Sequence, residues 1–157
     1  MTKRIFRSIG LVAVAVFAAS LILILGALYE YFSAGQMQRL ATETALAARA
    51  VETEGRSYLE GVKDTDGRLT WIAADGSVLF DNRADEAAME NHLEREEIRQ
   101  ALETGEGQSQ RLSSTLMEQQ LYCARRLSDG TVLRLSANQL SWWSLLVAMA
   151  QPICIVA

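Results

Sequence analysis

RLTWIAADGSVLFDN, residues 68–82, is the stretch whose reading decides the fold. Residues 69–73 and 78–82 change character with a period of two and flank Asp75-Gly76. That dipeptide closes two-residue hairpins, where both central positions need positive φ. In this register Trp71 faces Phe80 and Ala73 faces Val78 on one side, while Ile72 faces Leu79 on the other, so both faces are expected to be covered. A strand is expected at residues 109–115, and then a second hairpin, residues 121–127 and 132–137 around Asp129-Gly130. The echo of Asp75-Gly76-Ser77-Val78-Leu79 in Asp129-Gly130-Thr131-Val132-Leu133 reflects shared turn chemistry and not a repeated domain. The class is therefore α+β, an antiparallel sheet to which helices attach.

Working outward, residues 34–62 are rich in Ala, Glu, Gln, Leu and Arg, lack Pro, and predict a long helix. Met37, Leu40, Thr44, Ala47 and Val51 recur on it at steps of three and four, with Tyr58 and Val62 continuing the phase. A thin stripe of mostly small residues suits the seam of a homodimer, and it equally suits a helix lying on its own domain. On the other side of the hairpin, residues 84–104 predict a helix. Asn91 and Glu94 are spaced as a capping box, Leu93, Ile98, Ala101 and Leu102 form one apolar face, and Gly105 is the stop.

Further out the chain becomes a membrane sequence. Residues 9–29, IGLVAVAVFAASLILILGALY, carry no charge and match the ~20 residues a helix needs to cross a bilayer. Lys3, Arg4 and Arg7 within the basic segment 1–8 hold the N-terminus inside, and Tyr29, Tyr31 and Phe32 suit the outer interface. The run is longer than the apolar part of an export signal, which favours a retained anchor over a cleaved peptide. Residues 30–140 are then extracytoplasmic. Residues 141–157, opening on Trp142-Trp143, read as a second span that is too short, so the native chain is expected to continue.

Charge and chemistry exclude several classes. Residues 30–140 hold 12 basic and all 19 acidic residues, a net charge of −7, which argues against nucleic acid and against lying flat on an anionic bilayer. Cys123 and Cys154 lie at different depths on this topology, so no disulfide is expected. His92 has no His or Cys partners for a metal site, and its default role is the first turn of a capped helix. No nucleophile triad, phosphate loop or nucleotide signature occurs, and no cofactor is expected. The run Glu94-Arg95-Glu96-Glu97 reads as a solvated helix face. A two-residue loop at Asp129-Gly130 would set Arg125 opposite Arg134, an unfavourable like-charge pair. An anionic ligand, a nearby Glu or a register shifted by one would relieve it, so Arg125, Arg134 and His92 are the candidate ligand residues.

Five stretches in order, RLTWIAADGSVLFDN, MENHLEREEIRQAL (residues 89–102), RLSSTL (111–116), LYCARRL (121–127) and DGTVLRLS (129–136), resemble the N-terminal half of a bacterial sensor histidine kinase of the phosphate-sensor-like type. The resemblance covers essentially the whole chain. It implies a PAS-like, single-Cache sensor domain between two spans of the bacterial cell membrane, a homodimer, and a cytoplasmic response regulator reached through a kinase part that these residues lack. Its catalytic residues map onto nothing here. Glu96 stands where that family usually has Pro, which leaves open whether the helix starts at Asn91 or near Arg95. The input module of a chemoreceptor or cyclic-dinucleotide enzyme, and a small membrane scaffold or adhesion protein, are the alternatives.

Overall fold

The computed structural model describes residues 2–62, 67–112 and 119–138. The expected second span, with Trp142 and Trp143, lies outside them, as do Cys154 and residues 113–115 of the predicted strand. By its internal contacts the chain forms two units, Met1–Gly35 and Gln36–Ala157.

The first unit belongs to a single helix, α1 (Thr2–Glu54). Phe6, Leu11, Phe17, Ile22 and Leu23 are all exposed on it. Water would penalise such a surface, whereas lipid does not, and a helix satisfies its own backbone there. This helix is long and apolar enough to cross a membrane. No boundary separates residues 9–29 from the helix expected at 34: Gly26 and Gly35 flank the junction, and a cost of about 1 kcal/mol for each does not break a run this long.

Within the second unit α1 continues to Glu54, and Gly55 ends it at φ 63°, ψ −139°. A short helix, α2 (Arg56–Gly61), follows. The helix expected over 34–62 is thus two, divided at the residue whose missing Cβ permits the turn.

The strands β1 (Arg68–Ile72), β2 (Val78–Asp81), β3 (Glu106–Leu112), β4 (Gln119–Arg126) and β5 (Val132–Asn138) form one antiparallel sheet in the order β2-β1-β5-β4-β3. Both hairpin loops hold three residues, not two. Ala73 N–H donates to Ser77 O and Gly76 N–H to Ala73 O; Leu127, Thr131 and Gly130 repeat the pattern. Gly76 and Gly130 take φ 85° and 86°, the left-handed position that closes a three-residue loop. Asp75 and Asp129 each accept from the backbone N–H and hydroxyl two residues on. In the first hairpin Leu79 bulges out, which restores the expected Trp71–Phe80 pair but sets Ile72 against Val78. In the second no bulge intervenes, so Arg125 faces Leu133 and Arg134 faces Ala124. The expected Arg125–Arg134 clash does not exist.

One face of the sheet packs Leu69, Phe80, Leu127 and Leu133 against Ala47, Ala48 and Val51 of α1 and Leu59 of α2. Nearby, Leu40 and Met37 pack on Leu121 and Cys123. The opposite face packs Ile72, Ala124 and Val132 under Ile98 and Ala101 of α3 (Glu96–Thr104). Both faces are covered, as the pattern of β1 predicts. The helix expected over 84–104 is shorter than its composition suggests: a 3₁₀ turn at Glu86–Ala88 and an irregular stretch precede α3. Arg95 is its N-cap and makes no side-chain cap hydrogen bond, so the Asn91–Glu94 capping box does not form. Gly105 does end the helix, at φ 95°.

Candidate functional site

The polar residues of the sheet gather on the α3 face, beyond the end of that helix's apolar contacts. Alternation along the strands puts Thr70 of β1, Ser109 and Arg111 of β3, Tyr122 of β4 and Arg134 of β5 on this side. Glu97, in the first turn of α3, is fully buried among them. It reaches that position because β3 offers Gly107 beneath the helix: a Cβ there would lie 1.9 Å from Glu97 O. The expectation of a solvated Glu97 is therefore corrected.

A continuous polar chain crosses the sheet. Arg68 Nε is 3.0 Å from Asp81 Oδ2, which accepts from Thr70 Oγ1 at 2.8 Å. Arg134 Nη2 donates to Thr70 Oγ1 at 3.1 Å, and its Nη1 lies 3.4 Å from Glu97 Oε1. Glu97 Oε2 accepts from Ser109 Oγ at 2.7 Å and from Arg111. The Tyr122 ring carries the Arg111 and Arg134 guanidiniums at 4.6 and 5.4 Å from its centroid, a double cation–π arrangement.

These groups form the floor of a cavity of about 240 Å³, lined by Arg68, Arg111, Tyr122 and Arg134 from the sheet and by Met89, Glu90, His92 and Arg95 from the segment before α3. The first hairpin holds that segment in place. His92 N–H donates to Gly76 O at 2.8 Å, and Asn91 Nδ2 donates to Asp75 O at 2.8 Å while its Oδ1 accepts from Leu93 N–H.

Burial opposes charge throughout, and partners decide the outcome. Burial raises Asp81, but the Arg83 N–H, Thr70 and Arg68 outweigh it and hold the carboxyl below its usual range. Burial likewise raises Glu97, and Ser109, its own N–H, Arg111 and Arg134 overcome it. Arg134 is lowered, by burial and by Arg68, against the pull of Glu97. Burial together with Arg134, Arg95 and Arg68 pushes His92 down to about 4, so its imidazole is neutral at pH 7.

Of the sequence candidates, Arg134 and His92 meet in this cavity. Arg125 does not: it pairs with Glu106 on β3 at 2.6 Å. Arg68, Arg95, Arg111, Tyr122 and Glu97 were not singled out by sequence; the one signal available was strand alternation, which sets Tyr122 and Arg134 opposite the apolar Leu121, Cys123, Leu133 and Leu135. The stripe expected at a dimer seam is covered by the chain's own sheet, with Leu40, Thr44, Ala47 and Val51 buried. Met37 is half-buried, its sulfur 3.4 Å from Cys123 Sγ. Burial and Glu106 raise the Cys123 thiol to about 11, which makes it an inert core thiol. On α1 Tyr31 is exposed and packs edge-on against Phe32 at 5.9 Å, and Tyr29 is two residues before it. Among the described residues no His, Cys, Asp and Glu cluster could hold a metal ion.

No protein-family model matches the chain, and no curated protein sequence is similar to it.

Proposed function

We propose that the chain is the membrane-anchored input module of a two-component sensor kinase, with residues 30–140 forming an extracytoplasmic PAS-like sensor domain and the N-terminus in the cytoplasm. The observation that carries this is α1. One helix is apolar and exposed through its first unit, and in the second its buried stripe is built into the core of a sheet domain. A rearrangement of that core acts on the helix directly, and a coupling of about 1–3 kcal/mol biases a two-state output. The order of sequence stretches that resembles phosphate-sensor-like kinases supports the same assignment. A response regulator is the partner downstream, and two copies pair through faces of α1 other than its buried stripe, such as the one where Leu46 is exposed.

The coding sequence past Ala157 provides the test. An in-frame continuation into a helical dimerisation region with a phosphoacceptor histidine and an ATP-binding domain is expected. A stop codon at that point overturns the kinase assignment.

A further inference from the structure

We propose that the cavity walled by Arg68, His92, Arg95, Arg111, Tyr122 and Arg134 is a receptor site for a small, multiply charged oxyanion, a di- or tricarboxylate or phosphate. As the signal of the input module this rests on the function proposed above; as a binding site it stands on its own geometry.

The charge inventory comes first. Four guanidiniums line the space, and Glu90 is the single carboxylate on its wall. Asp81 and Glu97 lie behind the guanidiniums with their oxygens already engaged by Arg68, Thr70, Ser109, Arg111 and Arg134. Arg95 makes no side-chain hydrogen bond or ion pair among the described residues, so its charge is uncompensated at the rim.

Second, among the described residues two side-chain polar atoms are buried without a partner, and both belong to residues of this wall: His92 Nδ1 and Arg134 Nε. Each residue is only 5 % exposed. Buried polar groups are nearly always paired, so two orphans on one cavity mark the place of a missing acceptor. Arg134 Nε–H can only donate and so asks for a ligand that accepts; His92 Nδ1 does the same in the neutral tautomer that carries its proton there.

Third, the size sets the class. The cavity of about 240 Å³ falls below the ~300–1,000 Å³ of sites for drug-sized ligands. Guanidinium forks converging from β1, β3, β5 and the start of α3 suit several oxygens on one small body, since planar N–H pairs match carboxylate and phosphate edges.

The test uses the full chain in lipid nanodiscs, with citrate, succinate, inorganic phosphate and acetate as probes in calorimetric titration. Saturable binding of one of the multiply charged anions is expected, with acetate at least tenfold weaker. Arg95→Gln removes a charge that makes no hydrogen bond or ion pair among the described residues, so it should weaken that binding about tenfold or more and leave the ligand-free melting temperature within about two degrees of the parent. Arg134→Met should abolish binding, and its folding is checked by circular dichroism; Arg95→Gln decides the matter where Arg134→Met does not fold. Preference for citrate or succinate identifies a carboxylate source, and preference for phosphate a phosphate source. Absence of saturable binding to the folded chain, or binding indifferent to Arg95→Gln, overturns the site. A kinase encoded after Ala157 together with no binding removes the site and leaves the input module; binding with a stop codon does the reverse.

Discussion

Glu97 and Arg134 are both out of water and 3.4 Å apart, and each is the other's buried counter-charge, supported by Ser109 and Arg111 on one side and by Thr70 and the Tyr122 ring on the other. Removing one partner of a buried pair strands the second charge, a loss of about 3–5 kcal/mol. Glu97→Ala is therefore expected to destabilise the domain by that amount in urea unfolding, whereas Glu96→Ala, exposed one position earlier, should change it by less than about 0.5 kcal/mol. Acid acts on the same cluster. His92 titrates near 4 in the fold and at 6.5 when free, so between those values the unfolded chain takes up a proton that the folded one refuses. Stability contributed by this residue is complete above pH 6.5 and falls as pH drops towards 4, by at most about 1.4 kcal/mol per pH unit. Glu97, held below its ordinary 4.5, adds a further loss below that pH. His92→Gln should flatten the slope of unfolding free energy between pH 6.5 and 5, and an unchanged slope would contradict the neutral, buried imidazole. None of this could be read from Glu94-Arg95-Glu96-Glu97 as a string. Which of three glutamates is buried depends on Gly107, a residue of the next strand, and local pattern carries no such information.

The two hairpins show what an element does and does not inherit from its sequence. Asp-Gly marked both turns correctly, because a left-handed residue is needed there in any tight loop. It left loop length open, since the same dipeptide closes two- and three-residue turns. That single residue decided whether Arg125 faced Arg134 or Leu133 on β5, and the bulge at Leu79, where Arg56 Nη1 reaches the freed carbonyl at 3.4 Å, was invisible to a period-two pattern. The loops are alike in conformation and unlike in surroundings. A Cβ on Gly130 meets nothing within 4 Å, while one on Gly76 would lie 2.5 Å from Leu93 N and 2.3 Å from Asn91 Oδ1. Gly130→Ala should cost about 1–2 kcal/mol for its φ alone, and Gly76→Ala that amount plus about 1–3 kcal/mol for the collision. Thermal unfolding of the two variants compares them directly. Because Gly76 also holds His92, its replacement should disturb the cavity wall as well.

For the whole molecule, α1 was legible as two helices in sequence and is one in structure, because composition shifts at residue 30 while helical geometry does not. Its stripe of Leu40, Thr44, Ala47 and Val51 was equally compatible with a twin chain or with the chain's own sheet; spacing fixes which face is apolar, and only the fold shows what covers it. Ala47 is 5 % exposed and packed with Leu59, Phe80 and Leu133, so Ala47→Glu should cost more than about 3 kcal/mol and abolish cooperative unfolding at 37 °C. A variant that keeps its melting temperature and merely changes oligomeric state in size-exclusion chromatography with light scattering would return the stripe to a dimer seam. Sheet order has a different consequence. The last of the described strands, β5, occupies the middle position, paired on one side with β4 and on the other with β1, where Arg68 meets Ser136, 68 residues later. The inner edges of the pairs β1–β2 and β3–β4 stay open until β5 is made. During synthesis the two halves of the sheet must wait, with their inner edges unsatisfied, until residue 138 has emerged. Such a non-local closure is slow and leaves strand edges open to aggregation in the interval. The nascent domain thus carries open strand edges until β5 is made, and completion of its sheet is timed by residues 132–138.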